Sequence, residues 1–199
     1  MKMNRDDVIN AYGNHIYPGK VEFYQKYDIV LVPEKREGCH IYDITGKRYF
    51  NCHCNGGVYN LGHRNPEVIR AVTDALNTYD IGNHHLISKP KAELGQKLAQ
   101  SMPDGLNQVV YGVSGGEAID LAIKLARGVT KREEIISAEG GYHGHTGFAL
   151  AAGDTKFSEA FKPMSPGFKQ VPFNDLDALK KTLSGNTAIS NNVPYGAGG

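Results

Sequence analysis

Hydrophobic positions along the chain alternate between two spacings, which predicts strands alternating with helices. Short apolar runs typical of buried strands lie at 107–111, 133–138 and 168–173, and another begins at 187–190. Apolar residues recur at helical spacing in the stretches between them, as over 118–126 and 176–183. Strands joined through helices form crossover units, so the pattern predicts an α/β fold with a mostly parallel sheet flanked by helices.

The first part of the chain has a different pattern, which predicts a β-rich N-terminal subregion. A short strand is predicted at 29–33, and 39–50 alternates as a hairpin in which Gly46 supplies the turn. Helices follow this subregion. Asn65 is a good N-cap before Pro66, and Ser88 is expected to cap a helix that begins at Pro90.

Composition and charge exclude several classes of function. The 199 residues carry a net charge of +1 with both signs interspersed, so neither nucleic acid nor a membrane surface is an expected partner. No apolar run is long enough to span a bilayer, and the first residues lack a signal core, so we expect a cytoplasmic protein. Cys52, His53 and Cys54 would alternate across a strand, which favours packing over a metal site.

The turn Ser114-Gly115-Gly116 joins the strand at 107–111 to the helix after it. The first amides of a helix lack intrahelical partners and lie at the positive end of the helix dipole. Glycines there let the backbone approach an anion, so the turn is a candidate phosphate site at the carboxyl end of a strand. Taken alone, the spacing also fits a plain β–α connection. It matches neither G-x-G-x-x-G nor the nucleoside triphosphate loop.

A second loop, 139–146, follows the strand at 133–138 and is rich in glycine and histidine. Tyr142 in this loop could offer a ligand a flat ring and a hydroxyl, or could simply be a half-buried aromatic. His143 and His145 have a plain interpretation too, as histidines of a surface loop.

Four motifs in order give the chain a resemblance to class III aminotransferases, which are pyridoxal-phosphate enzymes of fold type I. The helix start Ser114-Gly115-Gly116-Glu117-Ala118 resembles the family's Ser-Gly-Ser/Thr-Glu-Ala signature. The segments that resemble the other three motifs are Asp43–Phe50, Leu61–Val68 and Tyr142–Thr146.

The resemblance implies a cofactor site for pyridoxal 5'-phosphate that is split over two loops. Ser114, Gly115 and Gly116 would hold the phosphate, Tyr142 would stack on the pyridine ring, and His143 would lie beside it. Two further residues, Tyr59 and His85, fall in regions that border the substrate. The implied reaction moves an amino group from an amine or amino acid to a 2-keto acid, and the full-length enzyme is expected to be a homodimer.

The chain departs from the family pattern at three places. Gly116 replaces a Ser or Thr, so one hydroxyl donor to the phosphate is missing. His145 stands where members that use acidic or acetylated substrates often have Arg, which argues against an acetylornithine-type substrate. The lysine that forms the Schiff base would come after residue 200, so no catalytic residue is assigned here, and Lys124 and Lys156 are not in its place.

The family implies a division into three parts. Residues 1–55 would be the β-rich part of the small domain, 56–186 an incomplete large domain, and 187–199 an aberrant tail, because Ser190 and Asn191 suit a buried strand poorly. We therefore expect the N-terminal half of an aminotransferase, interrupted near residue 186. Two alternatives remain: a non-catalytic binding or interaction fragment that needs a complementary chain, and an unrelated phosphate-binding α/β domain.

Overall fold

The computed structural model describes residues 3–79 and 85–191, and it divides into two compact units, Met1–His84 and His85–Gly199. The elements of the first unit are α1 (Arg5–His15), α2 (Pro18–Lys26), β1 (Pro33–Glu37), β2 (His40–Asp43), β3 (Arg48–Phe50) and α3 (Pro66–Leu76). The elements of the second unit are α4 (Lys89–Gln100), α5 (Gly115–Thr130), β4 (Glu134–Ala138), α6 (Gly147–Ala152), α7 (Thr155–Ser158), a 3₁₀ turn (Glu159–Phe161), β5 (Phe168–Val171), α8 (Leu176–Thr182) and β6 (Thr187–Asn191).

The first unit contains a three-stranded antiparallel sheet in the order β1-β2-β3. The predicted hairpin is confirmed, because β2 and β3 pair around a turn in which Gly46 has a φ of 88°. Asp43 holds this turn, since its carboxylate accepts from the amides of Thr45 at 2.9 Å and Lys47 at 3.0 Å. The predicted strand at 29–33 is wrong in position: the ladder of β1 begins at Pro33, where pairing with Asp43 starts.

Helix starts in both units follow the predicted caps. The side chain of Asn65 accepts from the amides of Glu67 and Val68, and Pro66 is the first residue of α3. Ser88 caps α4, which begins one residue before the predicted Pro90. Asp175 caps α8 in the same way, through the amide of Ala178. These caps are local, which is why the sequence predicts them well.

The sheet of the second unit is parallel, with the order β5-β4-β6. The central strand β4 carries the core, since Ile135 and Ile136 are fully buried, and Ile135 packs with Ile123 of α5 and Ala152 of α6. The predicted α/β class with a parallel sheet flanked by helices is confirmed. Helix α5 precedes β4 and the loop 139–146 follows it, so both candidate segments lie around this strand.

The strand predicted at 107–111 is not present in the described structure. Residues 107–112 have no regular structure, and Val110 and Val113 are 62% and 94% exposed. A strand requires a ladder of hydrogen bonds to a neighbour, and this segment pairs with no strand in the described part of the chain. The apolar, β-branched sequence suits a strand, but the described residues contain no strand that pairs with it.

The strand predicted to begin at 187–190 is present as β6. β6 runs through Asn191 in parallel register with β4, Ile136 facing Ser190 and Ser137 facing Asn191. Ser190 and Asn191 thus belong to a strand although their residue types suit a buried strand poorly, because backbone pairing decides the strand here. The aberrant tail at 187–199 stays a prediction. Residues 192–199 lie outside the described part. The three predicted domain limits stay predictions.

Candidate functional site

The start of α5 has a reciprocal cap. The Ser114 hydroxyl accepts from the amide of Glu117 at 3.2 Å, and the Glu117 carboxylate accepts from the amide of Val113. This cap fixes the turn without using the amides of Gly115 and Gly116, which donate to no acceptor among the described residues. A Cβ added at Gly115 would meet nothing within 4 Å, so open space adjoins the first residue of α5.

The loop after β4 packs directly on this helix start. A Cβ added at Gly144 would lie 2.7 Å from the Cα of Gly116, so the two backbones touch. A Cβ added at Gly116 would lie 2.9 Å from the hydroxyl oxygen of Thr146. Glycine is therefore required at 144 for a close approach, and its φ of 117° also favours glycine.

Hydrogen bonds hold both ends of this loop. At its start, the amide of Gly140 donates to the carboxylate of Asp154 at 2.9 Å, and the amide of Asp154 donates to the carbonyl of Gly141 at 2.8 Å. At its end, the amide of Ala149 in α6 donates to the carboxylate of Asp120 in α5 at 2.7 Å. The loop is thus tied to α5 by a charged group at the N-terminus of α6.

Tyr142 lies in this loop with its side chain 40% exposed. Its ring makes edge contacts with His145, at 5.4 Å between centroids, and with Phe157, at 5.3 Å. Phe157 and His145 also contact each other, so the three rings form a small aromatic cluster. The Tyr142 ring is therefore packed in part against His145 and Phe157, and the residue keeps some exposed surface.

His143 is buried, with only 6% of its surface exposed. Its Nε2 has no hydrogen-bond partner among the described residues and lies 2.9 Å from the position of a Cβ on Gly141. Burial lowers the pKa of this imidazole below its ordinary value, because desolvation disfavours the charged form. His143 is therefore a neutral side chain with one unsatisfied nitrogen.

The structure thus brings together the five residues assigned to the cofactor on one pair of adjoining segments. Ser114, Gly115 and Gly116 start α5, and Tyr142 and His143 lie in the loop that touches Gly116. Unpartnered amides at the positive end of a 16-residue helix suit a phosphate group, and an open ring surface suits a flat heterocycle. The donor set fits pyridoxal phosphate in kind.

The two residues assigned to the substrate belong to different units. Tyr59 is half-buried in the first unit, where its ring contacts His63 at 4.2 Å and its hydroxyl accepts from Arg36 at 3.5 Å. His63 is itself buried and bonded to Asn51 at 2.8 Å. His85 begins the second unit and is exposed. The substrate role of Tyr59 and His85 stays a prediction.

Neither a metal-binding cluster nor a membrane-spanning helix is present among the described residues. In residues 3–79 and 85–191, no three His, Cys, Asp or Glu side chains are grouped in a way that could hold a metal ion. Cys39, Cys52 and Cys54 are all free thiols. Within the same ranges, every helix is too short or too polar to cross a bilayer.

Three residues of this region were given no role of their own from the sequence, namely Glu117, Asp120 and Thr146. Glu117 had a local signal, because a Ser followed three residues later by Glu is the capping-box pattern. Asp120 and Thr146 act across 29 and 30 residues of chain, on Ala149 and Gly116 respectively. No local pattern could have found those two contacts.

Comparison with known proteins gives the family. The model of the class-III aminotransferase family matches residues 23–194. An uncharacterized aminotransferase of Archaeoglobus fulgidus is 51% identical over 187 residues, which cover 94% of this chain and 44% of the relative. The acetylornithine aminotransferase of Methanopyrus kandleri is 36% identical, over 83% of this chain and 42% of its own length. The chain spans less than half the length of these relatives.

Solved structures agree with the fold. An (S)-enantioselective omega-transaminase from Thermomicrobium roseum matches 92% of this chain and 43% of its own, with a TM-score of 0.75 and 26% identity. The taurine:2-oxoglutarate aminotransferase of Bifidobacterium kashiwanohense, solved with PLP and glutamate, matches 100% of this chain and 52% of its own. Its TM-score is 0.80 at 20% identity, which supports the fold alone. On the family match, this chain belongs to the class-III aminotransferases.

Proposed function

We propose that this chain is the N-terminal portion of a pyridoxal-phosphate-dependent aminotransferase. It carries the turn Ser114-Gly115-Gly116 that would bind the cofactor's phosphate, here called the phosphate seat, and Tyr142, which would contact the cofactor's ring. The whole protein would transfer an amino group from an amine or amino acid to a 2-keto acid. The observation that carries this proposal is the contact of the loop 139–146 with the start of α5, where two amides lack acceptors. Family membership identifies the anionic ligand that those amides suit.

Each residue of the site has a separate task in this proposal. The amides of Gly115 and Gly116 bind the phosphate, while Ser114 keeps the turn in shape through Glu117. Tyr142 contacts the cofactor ring, and the buried, neutral His143 packs beside it without adding charge. Pyridoxal phosphate, when bound, supplies the electron sink for amino-group transfer, and the protein orients it.

The lysine that joins the cofactor covalently belongs, in this proposal, to the part of the protein after residue 199. Lys124 and Lys156 are not assigned to that role. Lys156 lies over the ring of Phe157, 4.9 Å from its centroid, and Lys124 is an exposed residue of α5. The isolated chain is therefore expected to bind cofactor without catalysing transamination.

Finer properties of the whole protein are also proposals. Tyr59 and His85 border the substrate, the full-length enzyme is a homodimer, and it works in the cytoplasm. Several relatives between 34% and 38% identical are named acetylornithine aminotransferases, which favours amino acid substrates. Because residue 145 is a histidine, we infer a substrate that does not rely on an arginine at this position.

A second candidate function is a non-catalytic fragment that associates with a complementary chain. It is favoured by apolar residues that the described structure leaves open, among them Val72 and Leu76 of α3, which are 54% and 51% exposed. Exposed apolar surface of this kind is typical of a face that packs on further protein.

Calorimetric titration of the chain with pyridoxal phosphate, and separately with pyridoxal, tests the cofactor proposal. We expect the phosphate-bearing compound to bind at least about tenfold more tightly, because hydrogen bonds to a charged group contribute ~1.5–3 kcal/mol. Tyr142→Ala should weaken both compounds, since it removes the ring contact. Equal binding of the two compounds would contradict the phosphate seat.

An activity assay separates the two candidate functions. The chain alone should not convert glutamate and a 2-keto acid into products, even when saturated with cofactor. Turnover at a rate typical of enzymes would contradict the placement of the lysine outside the chain. A chain that binds neither compound would leave the association fragment as the better proposal.

A further inference from the structure

The hydroxyl of Thr146 lies at the start of α5, where the side chain of residue 116 would begin. A Cβ at Gly116 would be 2.9 Å from Thr146 Oγ1 and 3.4 Å from its Cγ2. The side chain of Thr146 thus occupies the space that the missing side chain leaves. This places a hydroxyl at Gly116, whose amide has no acceptor among the described residues.

The Thr146 hydroxyl makes no hydrogen bond with the described residues. Thr146 is the N-cap of α6, yet its side chain makes no cap hydrogen bond. The amide of Ala149 at this helix start donates instead to Asp120, at 2.7 Å. The hydroxyl of an N-cap threonine normally accepts a hydrogen bond from one of these amides. Because the Asp120 carboxylate accepts that bond here, the Thr146 hydroxyl remains available.

The position of Thr146 is also fixed from both sides. Gly144 touches the backbone of Gly116, and Asp120 holds the first turn of α6. In the same loop, His143 keeps Nε2 buried without a partner, which indicates that this region is completed by a group that the chain does not supply. The residue is exposed, so a ligand at the amides can reach its hydroxyl.

We propose that Thr146 donates a hydrogen bond from its hydroxyl to the phosphate of the cofactor, in place of the side-chain hydroxyl that Gly116 lacks. This inference rests on the proposed function, because it names a further binding residue of the same site. It makes the site dependent on two segments of the chain. The amides come from α5 and the hydroxyl comes from the loop after β4.

The test compares pyridoxal phosphate with pyridoxal on the wild-type chain and three variants, by calorimetric titration. Thr146→Val should weaken pyridoxal phosphate about tenfold and leave pyridoxal unchanged, because the variant removes one donor to a charged group. Thr146→Ser keeps the hydroxyl and should bind like the wild type. Thr155→Val, an exposed threonine of α7, is the matched control and should also bind like the wild type.

A swap of the two side chains sharpens the test. The double variant Gly116→Ser with Thr146→Ala moves the hydroxyl to residue 116 and removes the side chain that would collide with it. It should regain most of the affinity that Thr146→Val loses. Thermal unfolding of each variant, followed by circular dichroism, should show midpoints near that of the wild type.

Three results would overturn the inference. Thr146→Val that binds pyridoxal phosphate like the wild type shows that the hydroxyl is not used. A loss of the same factor for pyridoxal shows that Thr146 acts on the loop and not on the phosphate. A wild-type chain that binds both compounds equally overturns the phosphate seat itself, and this inference with it, so the two failures are distinguishable.

Discussion

At the scale of single residues, His143 and the glycines of the loop 139–146 decide the shape of the candidate site. The imidazole of His143 is buried and has an unsatisfied nitrogen, while Gly144 lets the loop touch Gly116. The first feature costs stability, because a buried polar atom loses its bonds to water. The second restricts residue 144 to glycine, because a positive φ is adopted readily only by that residue. Features of this kind are found where binding sites are built.

Lowering the pH should destabilise the second unit through His143. Burial lowers its pKa in the folded chain below the ordinary 6.5, so the unfolded chain binds the proton more readily. The cost is absent above pH about 6.5 and grows as the pH falls below that value. Thermal unfolding between pH 8 and pH 5.5 should therefore show a fall in midpoint that His143→Gln reduces. His53→Gln, at an exposed position, should leave the fall unchanged. Identical slopes in all three proteins would refute this origin.

Gly144→Ala should destabilise the chain far more than Gly140→Ala. Both glycines have a positive φ, of 117° and 75°, so both variants incur backbone strain. Only at residue 144 does the new Cβ meet backbone, at 2.7 Å from the Cα of Gly116, whereas nothing lies within 4 Å at residue 140. We expect a difference of about 2 kcal/mol or more in the free energy of unfolding, measured with urea. Equal losses in the two variants would mean that the close approach is not required.

At the scale of elements, Glu134 and Arg127 connect the pieces of the parallel sheet. The Glu134 carboxylate at the start of β4 pairs with Lys169 of β5 and accepts from Ser184 at 2.6 Å and from Thr187 of β6. Arg127 near the end of α5 donates to the carbonyls of Glu133 and Pro166, both at 3.0 Å. Its guanidinium also lies 5.1 Å from the ring centroids of Phe148 and Phe168. These contacts set the position of α5 against β4 and so the position of the candidate site.

Glu134→Gln should lower the stability of the second unit at neutral pH. The hydrogen bonds from Lys169 and Ser184 hold the pKa of Glu134 below its ordinary value. A carboxylate with a lowered pKa contributes stability above its unfolded value, and this contribution is lost as the pH falls through the folded value. The midpoint of thermal unfolding should thus differ between wild type and variant at pH 7 and converge in acid. Glu133→Gln changes the neighbouring residue and serves as the control. The Glu133 carboxylate has no bonding partner among the described residues, and the bond that Glu133 donates comes from its backbone amide, so this variant should match the wild type at both pH values. A difference that persists unchanged in acid would contradict this explanation.

At the scale of the whole molecule, the two units differ in how well they cover their apolar residues. The fully buried hydrophobic residues of the described structure all lie between Ile123 and Val171, in the second unit. In the first unit, α3 presents Val68, Val72 and Leu76 at about half exposure, between 47% and 54%. Apolar surface that remains in contact with water favours association, because burying it releases the cost of hydration.

Val72→Lys should reduce self-association of the chain without lowering its stability. The residue is 54% exposed, so the substitution removes apolar contact area while disturbing little packing. Thr73→Lys adds the same charge to the neighbouring position of α3, outside the apolar stripe, and serves as the control. Sedimentation velocity over a range of concentrations should show a smaller weight-average mass for Val72→Lys alone. If both variants behave alike, charge and not the apolar face controls association.

Local chemistry accounts for what could be predicted before the fold was known. The predicted caps Asn65 and Ser88 bond to amides two or three residues away, so their sequence pattern is sufficient. The hairpin around Gly46 follows from alternation and a turn residue in the same way. The family resemblance through Ser114-Gly115-Gly116 and Tyr142-His143 likewise depends on motifs that are contiguous in the chain.

Contacts between distant residues are what the sequence could not supply. The strand predicted at 107–111 failed because pairing needs a partner, and the strand through Asn191 formed because β4 provides one. The touch of Gly144 on Gly116 and the place of Thr146 over Gly116 join residues about 30 positions apart.

By itself, then, the sequence determined the family, the class of fold and the segments that carry the site. These depend on short-range preferences and contiguous motifs. Only the tertiary structure decided that His143 is buried with an unsatisfied nitrogen, that Asp120 caps α6, and that the hydroxyl of Thr146 lies where a side chain of residue 116 would begin. Burial and the direction of a side chain depend on what the rest of the chain packs against it, and that information is not local.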